Sequence, residues 1–315
     1  MMTSQPLAVR VRSLEPLSPT LKLIALEHAD GGSLPTSPPG AHLALILPGQ
    51  KRVHRNSYSI TSHPDQRSRY EIIVRRTVES RGGSAFIHTD LRRNDVLTAA
   101  IPSSQFPLQN NARKHLLIGG GIGITPLLSF LPVLRARRER LELHQISAQG
   151  EVPVFEKLLE PFGGHDVRVH AGRLAISLAD LLARQPLGTH VYCCGPRALM
   201  DAVHDTALAL GWPPIRVNLE SFGAFGGDPF FVRLSQSGRE IPVGEHESML
   251  EALENAGLQV PSLCRGGACG ECLSTVLDGV PDHRDHFLTA EEKAQGRLVM
   301  PCVSRAKTPY LTLVC

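Results

Sequence analysis

Read for hydrophobic and polar positions alone, the chain changes rhythm twice. Up to about residue 110 it runs in short β-like stretches, LAVRVR, LKLIALEH, HLALILP, NSYSIT, YEIIVRR and DVLTAA, several of which alternate apolar with polar positions. Proline and glycine clusters such as SLPTSPPG separate them, and only SAFIHTDL at 84–91 has helical character. Six short strands at this spacing predict a small antiparallel β-barrel. From about residue 112 apolar strands (KHLLIG, LELHQIS, VRVHAG, THVYCC, IRVNLE) alternate with helical stretches. That alternation predicts an α/β domain with a parallel, doubly wound sheet. Ser177 stands where an N-cap belongs, and PRALMDAVHDTALALG opens on Pro196 and stops at Gly211. The glycine-rich SFGAFGGD, residues 221–228, interrupts the pattern. After it FFVRLSQSGREIPV predicts a hairpin, SMLEALENAG a helix and LTLV a final strand. The expected division is 1–110, 111–223, a linker at 224–228, and 229–315.

Composition sharpens this only in places. Hydrophobic residues make up 42% of the 315 and charged residues 20%, ordinary for globular chains. No apolar run reaches the ~18–20 residues that span a bilayer, and MMTSQPLAVRVRS lacks the apolar core of a signal peptide. These features predict a soluble, cytoplasmic protein without a membrane partner. Net charge is +3 but uneven: residues 1–228 carry 25 basic against 19 acidic side chains, residues 229–315 carry 8 against 11. The C-terminal segment is thus the acidic one, a feature suited to a charged docking surface. RARRER at 135–140 has no interleaved aromatics and reads as an exposed helix end, not a nucleic-acid patch.

Candidate chemistry begins with the cysteines. Seven thiols in a reducing compartment favour metal over disulfides. Four are spaced Cys264-x4-Cys269-x2-Cys272-x29-Cys302, the plant-type [2Fe–2S] spacing. Zinc sites ordinarily arrive as two close pairs, whereas here three ligands lie on one loop and a distant one completes the set. Gly266, Gly267 and Gly270 allow close backbone approach to such a cluster. Zinc and a disulfide remain the alternatives. Cys315 has no assigned part, and Cys193 and Cys194 sit at a strand end.

GGGIGITP at 119–126 leads from an apolar strand into a helix, the setting of a nucleotide-binding turn, with Thr125 as N-cap and Pro126 as first helical residue. It reads G-x-G-x-x-P, short of a full dinucleotide fingerprint. CCGP at 193–196 ends a later strand, where ligands bind in open α/β sheets. In the first segment Gly82, Gly83 and Ser84 before a helix can cradle a phosphate, Arg55 can neutralise it, and Tyr58 offers a flat ring to a flavin.

The succession RNSYSI, RGGSAFIH, GGIGITP, HVYCCGPRALMD, ESFG, the cysteine loop, DHRD and CVSRAK resembles the phthalate dioxygenase reductase family over nearly the whole chain. The resemblance implies an FMN-binding six-stranded antiparallel barrel, an NADH-binding α/β domain and a β-grasp plant-type ferredoxin. By it, FMN is held by Arg55 or Asn56, Tyr58, Ser59, Ile73, Val74, Gly82, Gly83, Ser84, Thr125, Ser221 and Phe222. NADH is held by Gly120, Gly121, Thr125, Pro126, Cys194, Gly195 and Pro196, and the cluster by the four cysteines. The family's flavin motif has one residue between arginine and tyrosine, but Arg55 and Tyr58 enclose two, so a small bulge at Arg55 or a substitution by Asn56 is expected. Ser replaces the Asn common in relatives within IPSSQF. After the second α/β strand HQISAQGE supplies Ser147 and Gln149 but no cation for a 2′-phosphate, favouring NADH; Arg173 is the exception to watch. The implied activity is an oxidoreductase relay without a catalytic acid, base or nucleophile: hydride from NADH to flavin, then single electrons through the cluster to a Rieske-type terminal oxygenase. The chain is expected to be a monomer. A P450 or diiron partner, FAD in place of FMN, and a non-catalytic redox sensor are the rival expectations.

Overall fold

The computed structural model describes residues 6–49, 53–77, 82–222, 227–245, 247–263, 265–267, 269–285 and 287–314. Among them two compact units separate, Met1–Glu220 and Ser221–Cys315.

The first unit opens with six strands, β1 (Leu7–Pro16), β2 (Leu21–His28), β3 (His42–Leu47), β4 (His54–Ser59), β5 (Tyr70–Arg75) and β6 (Val96–Ala99), with helix α1 (Gly83–Thr89) between the last two. They pair antiparallel in the order β4-β3-β6-β1-β2-β5, and a bridge between Ile60 and Ile72 nearly closes the two edges into a barrel. Inward residues alternate along each strand, and Val9, Val11, Ile24, Leu26, Leu43, Leu45 and Tyr70 fill the interior.

Five parallel strands follow: β7 (Lys114–Gly120), β8 (Leu141–Ser147), β9 (Val167–Ala171), β10 (Thr189–Cys194) and β11 (Val217–Glu220). Helices α2 (Ile124–Leu128), α3 (Phe130–Ala136), α4 (Val152–Leu159), α5 (Leu178–Ala183) and α6 (Arg197–Ala209) connect them. The order β11-β10-β7-β8-β9 reverses direction between β7 and β10, so the crevice of a doubly wound sheet opens beyond the carboxyl ends of those two strands. One apolar cluster joins Leu21 and Ile73 of the barrel to Phe106, Phe130 and Tyr192, and Ser129 Oγ accepts from the Gly40 amide at 2.8 Å. Barrel and sheet are therefore one packed body.

Two expected helix starts differ. A 3₁₀ turn at Gly121–Gly123 carries the chain into α2 early, so Gly123 is the N-cap and Thr125 lies inside the first turn, its hydroxyl donating to Ile122 O at 3.0 Å. Pro126 is still tolerated because first-turn nitrogens need no intrahelical acceptor. Pro196 keeps an extended ψ of 143° and stands at the N-cap of α6, one residue before the expected place. Ser177 does cap α5, accepting from the Asp180 amide.

The second unit is a five-stranded sheet, β12 (Phe230–Leu234), β13 (Glu240–Val243), β14 (Ser274–Asp278), β16 (Leu298–Val299) and β18 (Tyr310–Leu313), in the order β13-β12-β18-β14-β16. Strands β15 (Pro281–Asp282) and β17 (Arg305–Ala306) pair separately, and α7 (Met249–Asn255) and α8 (Ala290–Gln295) begin in capping boxes at Ser248 and Thr289. Helix α7 buries Met249, Ala252 and Leu253 against β12, β13 and β18, the mixed sheet and crossing helix of a β-grasp ferredoxin. Of the expected linker at 224–228, residues 224–226 lie outside the described residues, as does residue 223 before it. No described helix is long and apolar enough to cross a membrane.

Candidate flavin, nucleotide and cluster sites

Strand β4 pairs residue for residue with β3, from His42 opposite Ser59 to Leu47 opposite His54. No bulge interrupts the ladder, so strict alternation places His54, Asn56 and Tyr58 on one face and Arg55 on the other. Arg55 is exposed, whereas Asn56 is half-buried. The start of α1 rests on the first face. A methyl group added at Gly83 would stand 2.7 Å from Asn56 Nδ2, and one at Gly82, where φ is +114°, would collide with the His54 ring. Asn56 thus stands beside the glycine turn where the family motif has its arginine, and His54 joins it. The alternation of β4 carried both facts, but only the ladder shows which residues meet the turn. Ser84 Oγ lies 3.2 Å from Thr77 Oγ1. Ser59 is buried, and its Oγ has no hydrogen-bond partner in the protein. Ile73 and Val74 lie on β5, Ile73 among the apolar residues shared with the sheet. An aromatic ring on the same strand face as a glycine cradle suits a flavin.

The two turns beyond the parallel strands abut directly. Cys194 of β10 is in register with Gly119 of β7. A methyl at Gly195 would stand 2.9 Å from Gly120 Cα, one at Gly120 would stand 2.7 Å from Pro196 Cδ and from Leu199 Cδ2, and one at Gly123 would overlap the Cys194 carbonyl. At Gly123 and Gly195 backbone meets backbone, and at Gly120 the Pro196 and Leu199 side chains close in. Gln145, fully buried on β8, donates to Gly121 O at 2.9 Å and holds the turn's shape. Ser147 Oγ, at the end of β8, is buried without a partner. Cys193 and Cys194 are fully buried. Burial pushes the Cys194 thiol well above its ordinary value, aided by Glu220 and Cys193, and burial alone does the same to Cys193. Both stay protonated at neutral pH and act as small apolar groups, not nucleophiles.

In the second unit the chain brings Cys302, thirty residues downstream, into the same buried cluster as Cys272, with Leu250, Met300 and Val303. Cys269 is half-buried, and Cys264 lies outside the described residues. The loop turns sharply at Gly267 and Gly270, with φ of +76° and +79°. A methyl at Gly267 would stand 2.6 Å from Val303 Cγ2, and one at Gly270 would run into the Phe287 ring. Arg265 also takes a positive φ of 51° and forks onto Glu254 of α7. Asp285, fully buried, accepts from the Leu288 amide at 2.8 Å and from Ser304 Oγ at 3.3 Å, tying DHRD to CVSRAK beneath the loop. Thiols gathered around an apolar floor, with the backbone curled over them, fit an iron–sulfur cluster. Ser221 is half-buried and Phe222 is 42% exposed in this unit.

Sequence reading passed over His54 and Arg75. Arg75 ends β5 and was visible only as a strand residue. Its guanidinium makes a two-pronged ion pair with Glu151, at 2.6 and 3.0 Å, in the turn after β8.

The chain is similar to known proteins over nearly its whole length. Residues 232–307 match the family model of a 2Fe-2S iron-sulfur cluster binding domain. The chain is 42% identical to the heme-dependent oxidative N-demethylase beta subunit of Ectopseudomonas mendocina, over 95% of this chain and 96% of that one. It is 36% identical to the phthalate dioxygenase reductase of Burkholderia cepacia, over 98% and 97%. The solved structure of a phthalate dioxygenase reductase, described as a modular structure for electron transfer from pyridine nucleotides to [2Fe-2S], superposes with a TM-score of 0.80 at 35% identity, covering 98% of both chains.

Proposed function

Because the chain belongs to the phthalate dioxygenase reductase family, an oxidoreductase family of flavin, NAD and 2Fe-2S electron-transfer components of oxygenase systems, we propose that it draws on NADH, FMN and a [2Fe–2S] cluster to supply electrons to a Rieske-type aromatic oxygenase. The bound groups supply the redox chemistry, hydride acceptance at the flavin and one-electron transfer at the cluster. The chain's own residues bind, orient and exclude water. In the barrel Gly82, Gly83 and Ser84, with Asn56 and His54 facing the turn, receive the flavin phosphate, and Arg55 stays in solvent. Tyr58 and Ser59 meet the ring, with the β5 backbone at Ile73 and Val74. In the crevice Gly120, Gly121, Gly195 and Pro196 let the nucleotide approach main chain, while Thr125 and Pro126 form the buried first turn behind it. Cys194, neutral and apolar, faces the nicotinamide end. Cys264, Cys269, Cys272 and Cys302 ligate the cluster. The chain acts alone, as a monomer, when it reduces its partner.

One observation carries this reading. A single chain joins a nucleotide crevice at a sheet switch point to a cysteine loop matched by an iron–sulfur model. Reconstituted protein given NADH should reduce cytochrome c, and Cys272→Ser should abolish that while flavin bleaching persists. Undiminished cytochrome c reduction by Cys272→Ser sinks the relay. Acid extraction of the flavin followed by mass measurement should return FMN; FAD would correct that part alone.

A second partner is favoured by the 42% identity to a protein named for a heme-dependent N-demethylase. NADH-driven turnover measured with a haem oxygenase and with a Rieske oxygenase side by side decides between them.

A further inference from the structure

Arg75 belongs to the barrel, yet its charge is delivered to the nucleotide crevice. It is the last residue of β5, directly after Ile73 and Val74. Its Nη2 lies 3.6 Å from where a methyl on Gly121 would stand, against the first turn of the glycine loop. Gly121 is itself pinned by Gln145. The guanidinium is gripped by both oxygens of Glu151, and the two side chains are only 26% and 22% exposed. Glu151 ends the turn after β8, so the ion pair joins the last residue of a barrel strand to the sheet.

Paired in this way, the two charges cancel and offer an anion nothing. An incoming dinucleotide brings a diphosphate to the glycine turn, against which Arg75 Nη2 lies. A guanidinium fork matches a phosphate as well as it matches a carboxylate. A carboxylate left beside a diphosphate would repel it. The pair must therefore exchange partners for the nucleotide to seat.

We propose that Arg75 is the cation that receives the dinucleotide's diphosphate over the Gly121 turn, and that Glu151 is its resting counter-ion, displaced when the nucleotide binds. This rests on the reading of the chain as an NADH-dependent reductase. It makes Glu151 a brake on nucleotide affinity and makes nucleotide binding act on the strand that carries Ile73 and Val74. Glu151 is then a positioning residue that acts through Arg75.

Titration calorimetry of the flavin- and cluster-loaded protein with NAD⁺ and NADP⁺ tests it, with thermal unfolding of each variant as the control for folding. Arg75→Gln should weaken NAD⁺ by about tenfold or more and flatten the salt dependence of binding. Glu151→Gln should tighten NAD⁺ severalfold, because the freed cation no longer has to be exchanged. The double variant should behave like Arg75→Gln. Weaker binding in both single variants would make the pair a mere bracket between barrel and sheet and overturn the proposal. Unchanged affinity in both would overturn it too. A gain in Glu151→Gln confined to NADP⁺ would assign Arg75 to a 2′-phosphate instead and overturn the diphosphate role. Failure of the wild type to bind either dinucleotide would strike the reductase reading itself, and this proposal with it.

Discussion

The nucleotide crevice and the cysteine loop are both glycine-rich, but their glycines do opposite work. In the crevice Gly123 and Gly195 are small because main chain presses against main chain, Gly120 because the Pro196 and Leu199 side chains close on it, while Gly121 alone of this group turns at a positive φ of 54°. In the cysteine loop Gly267 and Gly270 are turns, bent to positive φ, and the loop depends on side chains for its shape. Arg265 on Glu254, Asp285 on Ser304, and Phe287 on Gly270 provide it. The first site inherits its geometry from the sheet; the second must be braced. Neither site tolerates added volume at these glycines, but the loop depends in addition on the side chains that brace it.

The largest effect that tests this contrast is Gly123→Ala. Its methyl would occupy the Cys194 carbonyl, and no flexible side chain is there to yield. Overpacking against backbone should cost about 3 kcal/mol and erase NAD⁺ binding. Gly150→Ala, with nothing within 4 Å and an ordinary backbone, should stay within about 0.5 kcal/mol. Chemical denaturation followed by circular dichroism separates the two. Equal tolerance at both positions would mean that the strand ends are not rigid.

Next in size is a difference in acid response. In the sheet, burial would raise the Glu142 carboxyl, but hydrogen bonds from Lys114, His144 and Gln185 hold it down at about 2. Lys114 Nζ approaches to 2.6 Å and His144 Nε2 to 3.0 Å, and His144 Nδ1 meets His170 Nε2 at 2.8 Å. A carboxyl lowered in the folded state adds stability that is present above its unfolded value near 4.5 and is lost as pH falls toward 2. The ceiling by linkage is about 3 kcal/mol. His144 and His170 act earlier and in the same direction. Burial lowers both rings, so protonating them costs stability as pH drops below the ordinary histidine value of 6.5. The unit containing the sheet should thus lose stability progressively from about pH 6.5 downward, and Glu142→Gln should flatten the portion below 4.5. Denaturant midpoints of the two proteins across pH 3–7 check this; an unaltered slope in the variant would remove Glu142 from the account.

Much of this architecture is legible in the sequence. Strand LKLIALEH at 21–28 is β2 to the residue, because alternation and flanking turns leave one register in which the apolar set faces inward. The cysteine spacing and the two glycine turns were legible as well, since each is a local pattern with its own chemistry. Helix starts were less so. Thr125 has the composition of an N-cap, but a 3₁₀ turn pre-empted it. Nonlocal partners were not legible at all. Nothing near Arg75 in sequence announces Glu151, 76 residues away, and nothing in RNSYS says that Asn56, rather than Arg55, faces the glycines. Those facts belong to sheet pairing, which a single sequence does not print.

The smallest effect concerns the brace itself. Arg265 at φ 51° sits where a side chain costs about 1 kcal/mol, and its fork onto Glu254 holds it there. Glu254→Gln removes the charge-assisted half of that fork and should weaken the loop by about 1 kcal/mol without unfolding the unit, because α7 keeps its capping box and its buried face. Cluster loss to an iron chelator, followed by visible absorbance, should accelerate about fivefold. Arg265→Gly discards the fork but also the strain, so its cluster should persist longer than that of Glu254→Gln. Adding Glu254→Gln to Arg265→Gly should then change nothing, since the carboxylate acts only through the arginine. A cluster that leaves Glu254→Gln no faster than wild type would show that the loop keeps its curve unaided, and the cysteine loop would join the nucleotide crevice as a site set by backbone alone.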